Sequence, residues 1–181
     1  MIRNGRWPRV SAAADAVLSG FAVLLLVLMF AIVLQVVCSF FDINPVVTFQ
    51  SVWPLVGDAV TLNSLLDVQW HLLAIISLLP CALVWLRDGH VRVDFLYNQF
   101  SPLGRSRVDV LGNLVFALPW LLLCIPASYH FALRALSSAE QSRNGGLNDL
   151  YLIKAALPLG FALLLVAVLI DSALRLRELT R

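Results

Sequence analysis

The sequence predicts an all-α integral membrane protein. It should have four transmembrane helices, both termini in the cytoplasm, and short amphipathic segments in the interface. Three observations carry this reading. The first is composition: of 181 residues, 60% are hydrophobic and 13% charged, with a mean hydropathy of +0.87. A soluble domain runs at about 45–50% apolar and about 25% charged, and a fold of this size cannot hide the difference from water. Soluble enzymes, nucleic-acid binders and disordered tails are excluded. The second is four charge-free stretches, Ala16–Phe41, Val68–Leu86, Val110–Leu133 and Ala155–Ile170. A spanning helix needs about 17–25 apolar residues. The first three suffice outright; the fourth does if it starts near Leu150 and Lys154 snorkels toward the headgroups. The third is the placing of the basic residues. Ten of the thirteen Lys and Arg lie at the N-terminus (Arg3, Arg6, Arg9), in the central connection (Arg87, Arg92, Arg105, Arg107) or at the C-terminus (Arg175, Arg177, Arg181). The positive-inside bias puts those three regions in the cytoplasm.

Taken in order, helix 1 is expected over about Ala13–Phe41. It follows three arginines, but its apolar run is too long for a secretory signal and no cleavage site follows, so it should remain as an anchor. The outer loop Asp42–Asp67 carries three aspartates and no basic residue. Within it, Ser51–Leu66 is half apolar and predicts a short helix lying in the interface plane, with Trp53 and Trp70 at the outer boundary. Helix 2 is expected over about Asp67–Leu86. The following Arg87–Tyr97 segment alternates Val91, Val93 and Phe95 with Arg92 and Asp94. If it is helical, Asp88 and Arg92 pair at i,i+4 in an amphipathic piece on the cytoplasmic surface. Helix 3 is expected over about Arg107–Ala135, an outer turn at Asn144-Gly145-Gly146, and helix 4 over about Leu150–Leu176. The chain reads as one membrane domain, 1–181.

Within the spans the polar residues are few: Gln35, Gln69, His71, Asn113 and His130. No span has a central acid or an unwound Gly-rich core, the usual marks of an ion or substrate pathway. Cys38, Cys81 and Cys124 lie in three different spans without metal-ligand spacing, and read as small packing residues. Ala16/Gly20, Cys124/Ser128 and Ala156/Gly160 are small pairs that permit close helix approach. Pro80, Pro119, Pro126 and Pro158 each remove one backbone bond inside a helix. No residue is a credible nucleophile, general base or cofactor ligand set, so no catalysis, cofactor or metal is expected. The chain reads as a partner of a larger machine.

The run Gln69-Trp70-His71-Leu72, with Arg87-Asp88-Gly89-His90-Val91-Arg92-Val93-Asp94 after it, resembles the helix 2 signature of the small membrane (Q-type, DctQ-like) subunit of tripartite ATP-independent periplasmic (TRAP) transporters. The second half is similar too, in Glu140-x-Ser142, Asn144-Gly145-Gly146-Leu147, Ile153-Lys154 and Leu157-Pro158-Leu159-Gly160-Phe161. The resemblance covers roughly residues 10–177. It departs from the family in a long first outer loop, with helix 2 opening on Asp67 where many relatives have a glutamate.

The resemblance implies a bacterial inner-membrane, multi-pass subunit paired with a large multi-helix membrane subunit that holds the substrate and sodium sites. A soluble periplasmic binding protein would deliver an organic acid, with uptake driven by sodium. The small subunit would brace the stationary scaffold of the large one and hold no substrate site. By the same resemblance His90, Arg92 and Asp94 form a cytoplasmic motif, and Glu140, Lys154, Pro158 and Gly160 an outer one, all contacting partner or lipid; nucleic acid is not a partner. Glu140 or Asp149 should neutralise Lys154. A different class of reading also stands: a haem-binding anchor of a redox complex, with His71 and His130 at similar depth as axial ligands. A third is a free-standing four-helix scaffold.

Overall fold

A computed structural model describes residues 8–91, 94–143 and 145–180, with the side chains of residues 8–11 and 94 outside the description. Four helices in it are long and apolar enough to cross a membrane: Ala12–Phe40, Leu62–Leu86, Pro102–Ser137 and Tyr151–Leu179. The elements are α1 (Pro8–Phe40), a hairpin of β1 (Val47–Trp53) and β2 (Gly57–Val60), α2 (Leu62–Leu78), α3 (Cys81–Leu86), α4 (Asp94–Tyr97), α5 (Pro102–Gly112), α6 (Leu118–Ser137) and α7 (Tyr151–Leu179). A π-helical turn, Asn113–Ala117, joins α5 to α6 without a break.

The hub is α7, which packs against α2, α3, α5 and α6, whereas α1 packs mainly on α2. Small residues make this possible. Ala156, Gly160 and Ala167 are buried along one stripe of α7, and a Cβ on Gly160 would stand 3.1 Å from the Leu78 Cβ and 3.2 Å from its carbonyl oxygen. The Ala156/Gly160 pair is thus a helix-packing site, as its spacing predicts. Ala16 and Gly20 are instead exposed, with nothing within 4 Å of a Cβ on Gly20. The inner stripe of α1 is Ala14, Leu28, Ala31 and Cys38. Two polar contacts fix α1 to the second span: Gln69 donates to the Ala31 carbonyl at 3.3 Å, and Arg87 pairs with Asp15 at 2.6 Å.

Two local expectations are corrected. The segment from Ser51 does not form a short interfacial helix; it completes β1 and turns into β2, with Val47 opposite Val60 and Trp53 opposite Gly57. The run Val47-Thr48-Phe49-Gln50-Ser51-Val52-Trp53 is rich in β-branched and aromatic residues, which suits a strand. Its turn uses Leu55 at φ 74° and Gly57 at φ 80°. Helix then begins at Leu62, because Thr61 and Ser64 form a reciprocal capping box, so Asp67 lies inside α2 instead of opening it.

The helix also does not continue from Arg87 through Arg92. Asp88 adopts φ 58°, its N–H bonds to the Trp85 carbonyl, and the Gly89 N–H bonds to the Val84 carbonyl. This is a Schellman cap with aspartate in the left-handed position. It removes the helical i,i+4 geometry expected for Asp88 and Arg92; Arg92 itself is outside the described residues. The same cap closes α1 at Asp42 (φ 55°) and α6 at Ala139 (φ 45°). Pro80 divides the second span into α2 and α3, and Pro102 at the start of α5, behind the Ser101 cap, sets the third span five residues earlier than expected.

Candidate functional site

Polar side chains concentrate at the two ends of the bundle. At the hairpin end, the Lys154 ammonium donates to Glu140 at 2.5 Å and stands 4.3 Å from the centre of the Phe131 ring. Glu140 is placed by the cap of α6, and its carbonyl accepts from the Leu150 N–H at 3.0 Å. Both ends of the loop before α7 are thereby closed. Of the two acids expected to neutralise Lys154, Glu140 makes the pair. It is partly exposed, with side-chain accessibilities of 19% for Lys154 and 39% for Glu140.

The same loop is held from the other side by α2. Asp67 accepts from the Leu147 N–H at 2.9 Å, and Thr61 donates to the Gly145 carbonyl at 3.1 Å. Gly146 sits so close that a Cβ there would collide with the Asp67 carboxylate. The hairpin tip joins in, its Leu55 carbonyl accepting from the Asn148 N–H at 2.7 Å. The two loops at the hairpin end are therefore one hydrogen-bonded cap.

At the end where the described termini lie, α4, α5 and α7 share a network. Arg175 forms ion pairs with Asp109 and with Asp171, the latter at 2.8 Å. Tyr97 donates to Asp109 at 2.6 Å, and Asn113 donates to Ser172 at 2.9 Å. Asp171 and Asn113 are 3% and 5% exposed, so at this depth the charges persist only because each has a partner. Asn113 also opens the π-turn, in which the Leu118 N–H reaches back five residues to its carbonyl. Beside the network lies a groove of about 610 Å³, whose walls include Trp85, His90, Phe116 and Trp120.

The described motif residues lie at both ends of the bundle. Glu140 and Lys154 are brought together; Pro158 lies inside α7, two residues from Gly160 at the α2 crossing. His90 is at the opposite end, its Nε2 3.3 Å from the Cys81 carbonyl and its ring 5.6 Å from that of Trp85. Of its companions, Arg92 falls outside the described residues and the Asp94 side chain does too; the Asp94 backbone begins α4. Sequence reasoning missed Asp67, Asp109, Asp171 and Arg175 as structural groups. The available signal was two i,i+4 polar pairs, Asp109/Asn113 and Asp171/Arg175, at matching ends of adjacent antiparallel spans.

The two histidines of the haem reading are not brought together. His71 Nδ1 lies 2.5 Å from the Asp67 carbonyl and so donates to its own helix, while its Nε2 is buried and has no partner among the described residues. His130 is exposed on α6, against the Tyr129 ring.

Against known families, residues 46–178 match the model described as "Tripartite ATP-independent periplasmic transporters, DctQ component". A search of curated proteins returns no match.

Proposed function

Because this chain belongs to the DctQ component family of tripartite ATP-independent periplasmic transporters, we propose that it is the small membrane subunit of a sodium-coupled, binding-protein-dependent transporter for an organic acid. Its part is to brace the scaffold of the large multi-helix membrane subunit in the bacterial inner membrane. Both termini face the cytoplasm. The substrate is delivered by the periplasmic binding protein and bound on the large subunit; this chain carries no catalytic step.

One observation carries the bracing role. At the hairpin end spans 2, 3 and 4 are tied through Glu140–Lys154 and Asp67–Leu147, and at the other end spans 3 and 4 are tied by Asp109–Arg175–Asp171 and spans 1 and 2 by Arg87–Asp15. Between those ends the surface is bare and apolar, from Leu26 and Phe30 on α1 to Leu123 on α6. Helices tied at their ends resist sliding and tilting, and a bare apolar exterior lets lipid and a neighbouring membrane chain pack on it. The family motif residues belong to this plan: Glu140, Lys154, Pro158 and Gly160 set the outer loop and the α2–α7 crossing, while His90 in the wall of the inner groove, with its sequence companions Arg92 and Asp94, serves as a partner or lipid contact.

The test is purification of the tagged chain from its native membrane in mild detergent, followed by uptake in proteoliposomes with the large subunit and the binding protein. The reading expects a stoichiometric large membrane partner and uptake that stops when sodium is replaced by potassium. A chain that purifies alone, or uptake indifferent to sodium, would overturn it.

A further inference from the structure

His130 and Arg134 stand one turn apart on α6, both exposed, away from the face that buries Leu121, Ser128 and Ala135. With Ala127, Leu133, Leu136 and Ser137 they line a surface recess of about 780 Å³. We propose that this recess binds a phospholipid of the leaflet at the hairpin end, its phosphate held by Arg134 and His130.

The argument begins from charge. Two cations lie on the helices at this end, and Lys154 is committed to Glu140. Arg134 makes no ion pair among the described residues, and His130 there has the Tyr129 ring as its neighbour. An exposed guanidinium without an ion pair at a membrane boundary attracts headgroup phosphate, and around this face the exposed neighbours are Leu122, Leu123, Leu133 and Leu136, which belong against acyl chains.

Depth agrees with charge. Arg134 is in the last turn of α6, and its carbonyl accepts from the Ser137 and Ser138 hydroxyls at 2.9 Å each. That places the side chain at headgroup level, with His130 one turn deeper. A guanidinium offers a planar fork that fits two phosphate oxygens, and an imidazole one turn away supplies a further donor. The small Ala127, a turn beyond His130, leaves the hollow in which an acyl chain starts down the helix toward Leu123. The site thus takes one phospholipid, recognised by its phosphate, and does not depend on which large subunit the chain assembles with.

The experiment is native mass spectrometry of the detergent-purified full chain, titrated with palmitoyl-oleoyl-phosphatidylglycerol and, separately, with dioleoylglycerol, which lacks the phosphate. Wild type should retain one phosphatidylglycerol and not dioleoylglycerol. The double variant Arg134→Gln, His130→Gln should bind that lipid about tenfold or more weaker, as expected for loss of a charge-assisted contact, and Arg134→Lys should recover part of it. Arg143→Gln, in the outer loop, should bind as wild type does. Helical circular dichroism checks that each variant is folded. Equal phosphatidylglycerol binding by wild type and a folded double variant would overturn the proposal. So would equal retention of dioleoylglycerol.

Discussion

The Asp67 carboxylate accepts the backbone N–H of Leu147 at 2.9 Å, across 80 residues of sequence. One acid on α2 therefore sets the loop that delivers the chain into α7. Leu147 itself is 3% exposed, so the bond holds an apolar plug as well as a turn. Asp67→Ala should lower stability by about 1–2 kcal/mol, the cost of a lost charge-assisted bond to a partly buried N–H. Gly146→Ala should do much the same, because its Cβ displaces the same carboxylate. Thermal unfolding of the purified chain, with protease sensitivity of the 137–149 loop, reads both effects.

The Glu140–Lys154 pair should matter more for assembly than for the helices themselves. It is partly exposed, so its net contribution is modest, about 1 kcal/mol, plus the contact of Lys154 with Phe131. Lys154→Ala should shift the melting temperature slightly and reduce the yield of complex on pull-down. A reversed pair, Glu140→Lys with Lys154→Glu, should recover the melting temperature but not the ring contact. If Lys154→Ala leaves assembly and uptake at wild-type levels, the pair has no role in the subunit's function.

The network around Arg175 is the harder one to break. Removing the guanidinium leaves Asp109 and Asp171 facing each other at low exposure, and breaking a buried pair in this way costs about 3–5 kcal/mol. Arg175→Met should therefore abolish accumulation of the chain in the membrane. The triple variant Arg175→Met, Asp171→Leu, Asp109→Asn should regain much of it, since no unpaired charge remains. Immunoblots of membrane fractions separate these outcomes.

Gly160 is a packing position with no room. A Cβ there meets the Leu78 backbone and Cβ, so Gly160→Ala should cost about 1–3 kcal/mol by overpacking, and Gly160→Leu should part α2 from α7. Gly20→Ala, with open space around its Cβ, should leave the isolated chain unaffected. Comparing the two by thermal unfolding tests the packing assignment.

The four spans were legible because hydrophobic length and charge placement act at the scale of the whole helix, and Glu140–Lys154 because two charges sit near matching span ends. What escaped was set by local chemistry. Helix ends were read from the nearest charge, yet Thr61–Ser64 starts α2 before Asp67, and Asp42, Asp88 and Ala139 close helices in a left-handed conformation where glycine would have given the signal. Ser51–Val60 became a hairpin because strand propensity in Val47–Trp53 outweighed an apolar average that suits either state. The Asp109–Arg175–Asp171 network escaped as one object because Asp109 and Asp171 mark the charged boundaries of the spans it joins and Arg175 counts toward the basic C-terminus, although the pairs Asp109/Asn113 and Asp171/Arg175 carry its signal.

The most direct measurement is mild-detergent co-purification of the tagged chain from its native membrane, with partners identified by mass spectrometry and an absorbance spectrum taken on the same sample. A large multi-helix membrane protein in stoichiometric amount, with no visible absorbance, is the predicted result. A chain that purifies without a large membrane partner, or one carrying a Soret band, would contradict the account.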